Sequence, residues 1–274
     1  MGTSKSFGGR KDINPLLPTW SLPDLDDNPL VPESSDRNEE RLAAQEVQQQ
    51  PQSKPWQSAN RSLGDLVSSN RGDSLPKAGQ AYVRALGGSR QAASSSVTAR
   101  SSSAKLGGFL SGLVLQGINQ TLKDNGLSHV VGKDADGVMA AILDLIAPSP
   151  NSREESIVRV AVCKTLENLY DKFDLRNGDI TELDRMNVED VKDAYVSTIS
   201  SYIYQRWLAE LGIAIEKKSV SANEAVYLER EVKGYVYDRV KIDLQNVDIL
   251  HLEWEGDFGH KFVEETFKAA YDLI

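Results

Sequence analysis

From about residue 104 onward, apolar residues recur at intervals of three and four, and the alternation that a half-buried strand needs is almost absent. Helices with such faces are stable only when they cover one another. The expected fold class is therefore all-α: an antiparallel helical bundle, preceded by a long disordered N-terminal arm.

The individual helices can be placed by their stripes and caps. Phe109, Leu110, Leu113, Val114, Ile118 and Leu122 form one apolar face, which Asn125-Gly126 ends. Val138, Ile142, Leu143 and Ile146 mark a second helix, closed by Pro148 and Pro150. Ser152 and Glu155 have the spacing of a capping box, ahead of a core stripe at Val158, Val162, Leu166, Leu169 and Phe173. Asn187 with Glu189 and Asp190 suits the start of the longest helix, whose period runs through Val191, Tyr195, Thr198, Tyr202 and Ile203 toward Trp207 and Leu211. Ser221 and Glu224 repeat the capping-box spacing before a face of Ala225, Leu228, Val232, Tyr235 and Val236. A last helix, from Phe258 to Ile274, buries Val263, Phe267, Ala270, Tyr271 and Ile274.

Composition sets the boundaries. Seven of the ten prolines lie in residues 1–75, together with the run Gln48 to Gln50 and few branched aliphatics. Such a segment buries too little apolar surface to offset its ordering entropy, so 1–75 reads as a disordered arm. Residues 76–103 read as a basic, serine-rich linker with room for one or two marginal helices, broken at Gly87-Gly88. Residues 104–274 read as an all-α helical domain, a single domain being the simplest partition.

Charge and cysteine usage narrow the function classes. The net charge is −9, but residues 76–130 carry six basic groups and one acidic group. Only Arg84, Arg90, Arg100 and Lys105 could neutralise phosphates, and a solvated basic linker accounts for them as well; the acidic helical remainder is poorly suited to nucleic acid. Cys163, the one cysteine, sits in the apolar run Val160-Ala161-Val162, which points to a small buried hydrophobe in a reducing compartment. The most apolar stretch, Leu106 to Ile118, is about 13 residues long and broken by four glycines, short of the ~20 a membrane span needs. No apolar signal-peptide core opens the chain, so the expected location is cytoplasmic.

Motif by motif, chemistry finds little support. His251, Glu253, Glu255 and His260 could ligate a metal, which would make the chain a metal-dependent enzyme. Leu250, Leu252 and Trp254 alternate with them, so a short extended edge with a wet polar face explains the same spacing. Asp257-Phe258-Gly259 matches the kinase tripeptide but has no glycine-rich loop or catalytic-loop motif beside it. Asn177-Gly178-Asp179 fails as a calcium loop, because the first and third ligand positions fall on Phe173 and Leu175. There is no phosphate-loop lysine and no pairing of nucleophile with base, so no catalytic residue, metal site or cofactor is assigned.

The opening Met1-Gly2-Thr3-Ser4-Lys5-Ser6 is more informative. Loss of Met1 would leave Gly2 with an unhindered amine, and Gly2 with Ser6 satisfies the N-myristoylation pattern of a peripheral membrane protein. Pro15, Leu17, Pro18 and Trp20 form an extended, partly preordered segment whose aromatic could anchor in a partner's groove.

The Met1-Gly2-Thr3-Ser4 start, the Pro15-Leu16-Leu17-Pro18-Thr19-Trp20 motif, the polar arm and the helical core opening at Gly108-Phe109-Leu110 together resemble the QatB family, a component of the bacterial Qat anti-phage system. The resemblance implies a non-enzymatic adaptor subunit of a defence complex. Its partners would be an ATPase, a QueC-like enzyme and a TatD-like nuclease; charge and hydropathy, not the resemblance, argue against a membrane or nucleic acid partner. By the same resemblance Gly2 is the acceptor of an N-terminal modification by the QueC-like partner, and Thr3 and Ser4 are read in that partner's cleft.

Overall fold

Residues 54–69, 75–216 and 222–273 are described by the computed structural model. Among them every regular element is helical. The α-helices are α1 (Lys54–Ser69), α2 (Leu75–Ala85), α3 (Ser89–Ser95), α4 (Val97–Gln116), α5 (Ile118–Asp124), α6 (Ala135–Ile146), α7 (Arg153–Lys172), α8 (Val188–Glu216), α9 (Ala222–Asp243) and α10 (Asp257–Leu273). Short 3-10 turns occupy Ser128–Val130, Leu175–Asn177 and Ile180–Arg185. The all-α expectation holds.

The chain divides into two compact units, where composition alone suggested a single domain. The first takes residues 98–202 and 247–260; the second takes the described residues up to 97, 203–246 and those from 261 onward. Helices α8 and α10 each contribute to both.

In the first unit the core is built from Leu106, Phe109 and Leu110 of α4, Val138, Ile142 and Ile146 of α6, Val158, Val162 and Leu166 of α7, and Val191, Tyr195 and Ile199 of α8. Its helix starts follow the caps read from the sequence. Ser152 Oγ accepts the Glu155 amide while the Glu155 carboxylate accepts the Ser152 amide, a complete capping box. Asn187 Oδ1 accepts the amides of Glu189 and Asp190, and Asp190 Oδ2 accepts the Asn187 amide in return. Buried Arg159 donates to the Ala147 carbonyl at the end of α6 and pairs with Asp144, which places a cation where the helix dipole is negative.

The single helix expected from Phe109 to Leu122 is instead two. Gly117, at φ 84°, lies in the left-handed region that favours glycine, so the chain turns between α4 and α5. Asp184, from the 3-10 turn, caps the restarted helix by accepting the Ile118 amide at 2.7 Å. That acceptor lies 66 residues away in sequence and is invisible to a local cap search.

In the second unit, α1 packs on α2 and an aromatic row runs inward. Trp56 meets Tyr82 edge-on at 6.3 Å between ring centroids, and Tyr82 stacks on Trp207 at 5.8 Å. Arg206, on α8, donates to Ser96 Oγ, the Ala92 carbonyl, Tyr271 Oη and Ser95 Oγ, and pairs with Glu210 at 3.0 Å. Glu210 also accepts the Tyr82 hydroxyl at 2.7 Å.

Three further sequence expectations differ from the structure. The reach of the arm to residue 75 is too long, because 54–69 is helical with Ala59, Leu63 and Leu66 buried at spacings of four and three. The proline that suggested disorder there, Pro55, stands in the first turn, where its missing amide costs nothing. Residues 76–103 are not a linker but α2, α3 and the start of α4, with Ala78, Ala81, Tyr82, Ala92, Ala93 and Ala99 inside. Alanine packs closely without raising the branched-aliphatic count, so a composition test overlooks it. Tyr235, read as core, is 41% exposed. Ser221 and Ile274, and the side chains of Glu224, Ala225 and Leu228, lie outside what is described.

Candidate functional site

The residues to which a role was assigned, Gly2, Thr3, Ser4, Pro15, Leu17, Pro18 and Trp20, all lie outside the described residues. Of the four basic residues, Arg84 and Arg90 belong to the second unit, Arg100 and Lys105 to the first. Arg84, Arg90 and Lys105 are exposed and Arg100 is half-buried.

The segment around the possible metal ligands is a folded-back loop, not the extended edge that alternation suggested. Trp254 is 5% exposed, and its indole Nε1 donates to Ser111 Oγ at 3.1 Å. Ser111 Oγ in turn donates to the Ile249 carbonyl at 3.0 Å. The Trp254 ring lies across Gly107 and Gly108 and tilts against Tyr195 at 5.2 Å. Gly107 and Gly108 therefore make room for an aromatic ring. At the other end of the loop the Gly256 amide donates to the Glu253 carbonyl, closing a turn, and Gly259 passes so close to the Glu253 and Trp254 carbonyls that no side chain fits there.

This folding spreads the four ligand candidates apart in role. His251 Nδ1 meets both carboxylate oxygens of Asp248, at 3.0 and 3.1 Å, on the exposed surface. That hydrogen bond is the leading reason the Asp248 carboxyl is held below its ordinary range. Glu253, Glu255 and His260 are exposed. Among the described residues no three His, Cys, Asp or Glu side chains come together as a metal-holding group. Phe258 is solvent-facing too, so Asp257-Phe258-Gly259 is the first turn of α10 with its aromatic outward.

Elsewhere the polar groups serve packing. Cys163 is buried in α7 and is in no disulfide. Burial first, then the neighbouring Tyr271 and Glu210, pushes the Tyr82 hydroxyl well above its ordinary value. A hollow of about 270 Å³ in the second unit is lined by Arg90, Ala93, Lys261, Glu264, Glu265 and Lys268, whose cations and carboxylates largely neutralise one another. No helix among the described residues is long and apolar enough to cross a membrane.

Sequence comparison supplies what the side-chain chemistry does not. A family model described as the Qat anti-phage system associated protein QatB matches residues 87–274. The chain belongs to the QatB family. No curated protein and no solved structure is matched. The QatB match begins at Gly87, so it takes in α3 and the whole of α4 and covers most of both described units. It covers neither α1, α2 nor the segment carrying Gly2 and Trp20.

Proposed function

We propose that this QatB-family chain is a non-enzymatic, cytoplasmic adaptor subunit of a bacterial anti-phage complex. Its helical body docks on other Qat components, and its N-terminal arm presents Gly2 to the QueC-like enzyme for modification. The family match over residues 87–274 is the observation that carries the defence role. The adaptor role is supported by how the described side chains are used. The buried hydroxyls of Ser102 and Ser111 and the arginines Arg159 and Arg206 are engaged in caps and packing networks rather than aimed at a reacting atom.

The acceptor role of Gly2 is supported by the resemblance of Met1-Gly2-Thr3-Ser4 and the Pro15 to Trp20 motif to the family, and by chemistry. A terminal amine, with a reference pKa of about 7.7 to 8.0, is a usable nucleophile near neutral pH. Glycine sets no Cβ beside it, so a narrow active site can close on it. Thr3 and Ser4 are read next to it, and Pro15, Leu17, Pro18 and Trp20 give the partner an apolar grip.

The test is protection of cells carrying the full gene set. Gly2→Leu should abolish plaque reduction while the purified variant melts as the parent does. Full protection by Gly2→Leu, or by a chain lacking residues 2–9, would make the arm a passive tail and end this reading.

A further inference from the structure

The first unit holds two asparagine-glycine pairs, Asn125-Gly126 after α5 and Asn177-Gly178 between α7 and α8. Such a pair can modify itself. The glycine nitrogen attacks Cγ of the asparagine side chain, ammonia leaves with the proton that this nitrogen gives up, and a five-membered succinimide forms. Water then opens the ring at either carbonyl. The products are aspartate and isoaspartate, and in the second the main chain runs through the former side chain and is one methylene longer. Glycine permits the attack because no Cβ stands in its way. Local sequence makes the two pairs alike; the fold separates them.

At Asn125 both reacting partners are held. Its amide and its side-chain Nδ2 donate to the Thr121 carbonyl, at 3.1 and 2.8 Å. Gly126, at φ 77°, donates to the Lys123 carbonyl at 3.0 Å, and Leu127 donates to the Leu122 carbonyl at 2.7 Å. Those two bonds close α5 in a Schellman motif with Asn125 as its C-cap. Asn177 is held by much less. It ends the 3-10 turn Leu175–Asn177, closed by the Gly178 amide on the Leu175 carbonyl at 2.9 Å, and hydrogen bonds of that geometry are the weaker kind. The Asn177 side chain is exposed and makes no hydrogen bond to a described residue. Asp174, which opens the turn, is the one non-glycine among the described residues at positive φ, 51°, so the segment carries backbone strain that opening relieves. Leu175 and Ile180 are buried on either side, which confines the motion to the exposed residues between them.

We propose that Asn177 is a site of spontaneous conversion to aspartate and isoaspartate in the folded protein, while Asn125 is protected. The product changes the loop between α7 and α8 in two ways. A new carboxylate joins those of exposed Asp171, Asp174 and Asp179. The added methylene of isoaspartate carries Gly178 away from the Leu175 carbonyl and opens the turn. Hydrolysis does not restore the amide, so the altered fraction grows with time and the loop records the age of the chain.

The purified full chain, incubated at mildly alkaline pH, tests this with no other protein present and independently of any change at Gly2. Peptide mass spectrometry reads the conversion of amide to acid at each asparagine, and chromatography separates aspartate from isoaspartate. Unfolded in denaturant, both pairs should convert at similar rates. In the folded chain Asn177 should convert at least several-fold faster than Asn125. Equal rates at the two sites in the folded chain, or a faster Asn125, would overturn the proposal. So would an intact Asn177 in the folded chain after a time in which the unfolded chain has converted fully.

Discussion

The indole of Trp254 occupies the space that a side chain at Gly107 would need. Gly107 is helical and has no unusual backbone angle, so its constraint comes from the ring and not from conformation. Gly107→Ala should therefore destabilise the first unit by roughly 1 to 3 kcal/mol, the usual cost of overpacking a filled site. Gly126→Ala meets no neighbour but sits at φ 77°, so it separates backbone strain from collision. Denaturant melts of the two variants make the comparison. A Gly107→Ala protein as stable as the parent would mean that the ring is not seated there.

Arg206 joins Ser95, Ser96, Glu210 and Tyr271 in the second unit, and its side chain is only 12% exposed. Arg206→Ala strands a partly buried carboxylate and should cost about 3 kcal/mol or more. Glu210→Gln keeps an acceptor for the Tyr82 hydroxyl and should cost less. Chemical denaturation of both variants checks the ranking.

Alkaline pH should weaken the second unit. Tyr82, Tyr204 and Tyr271 are held above the ordinary tyrosine value, in each case chiefly by burial. A folded-state value raised above the unfolded one gives stability that is complete below the unfolded value of about 10 and is lost as pH rises beyond it. Near-ultraviolet absorbance should therefore record exposed tyrosines ionising first, and these three only together with unfolding. Ionisation of all tyrosines near pH 10 in a still-folded chain would contradict the packing.

Leu166 is almost completely buried in α7. Leu166→Ala should cost about 2 to 5 kcal/mol, depending on how far the surrounding helices collapse into the space. A melting temperature equal to the parent's would place that stripe wrongly.

Much of this fold could be read from local pattern, and what escaped did so for physical reasons. The Ser152 cap, the Asn187 start and the Leu166 stripe are governed by neighbours three and four residues away, which sequence displays directly. The turn at Gly117 depends on Asp184, and the course of the 249–256 loop depends on Ser111 and Gly107. Those partners are distant in sequence, so alternation around Trp254 looked like a strand edge. Helix α1 was hidden by serine, asparagine and a proline whose first-turn position makes it harmless. For the assigned acceptor the position is reversed: Gly2 and its neighbours were read from the sequence and family resemblance, and they lie outside the described residues.

Intact mass decides whether the arm carries a group added at Gly2. The chain should be purified after co-expression with the QueC-like enzyme and the other Qat genes, and again after expression alone. A mass increase is expected only in the co-expressed sample, mapped by peptide fragmentation to the amine of residue 2 and absent from Gly2→Leu. An unmodified Gly2 in a chain recovered from fully protected cells would contradict it.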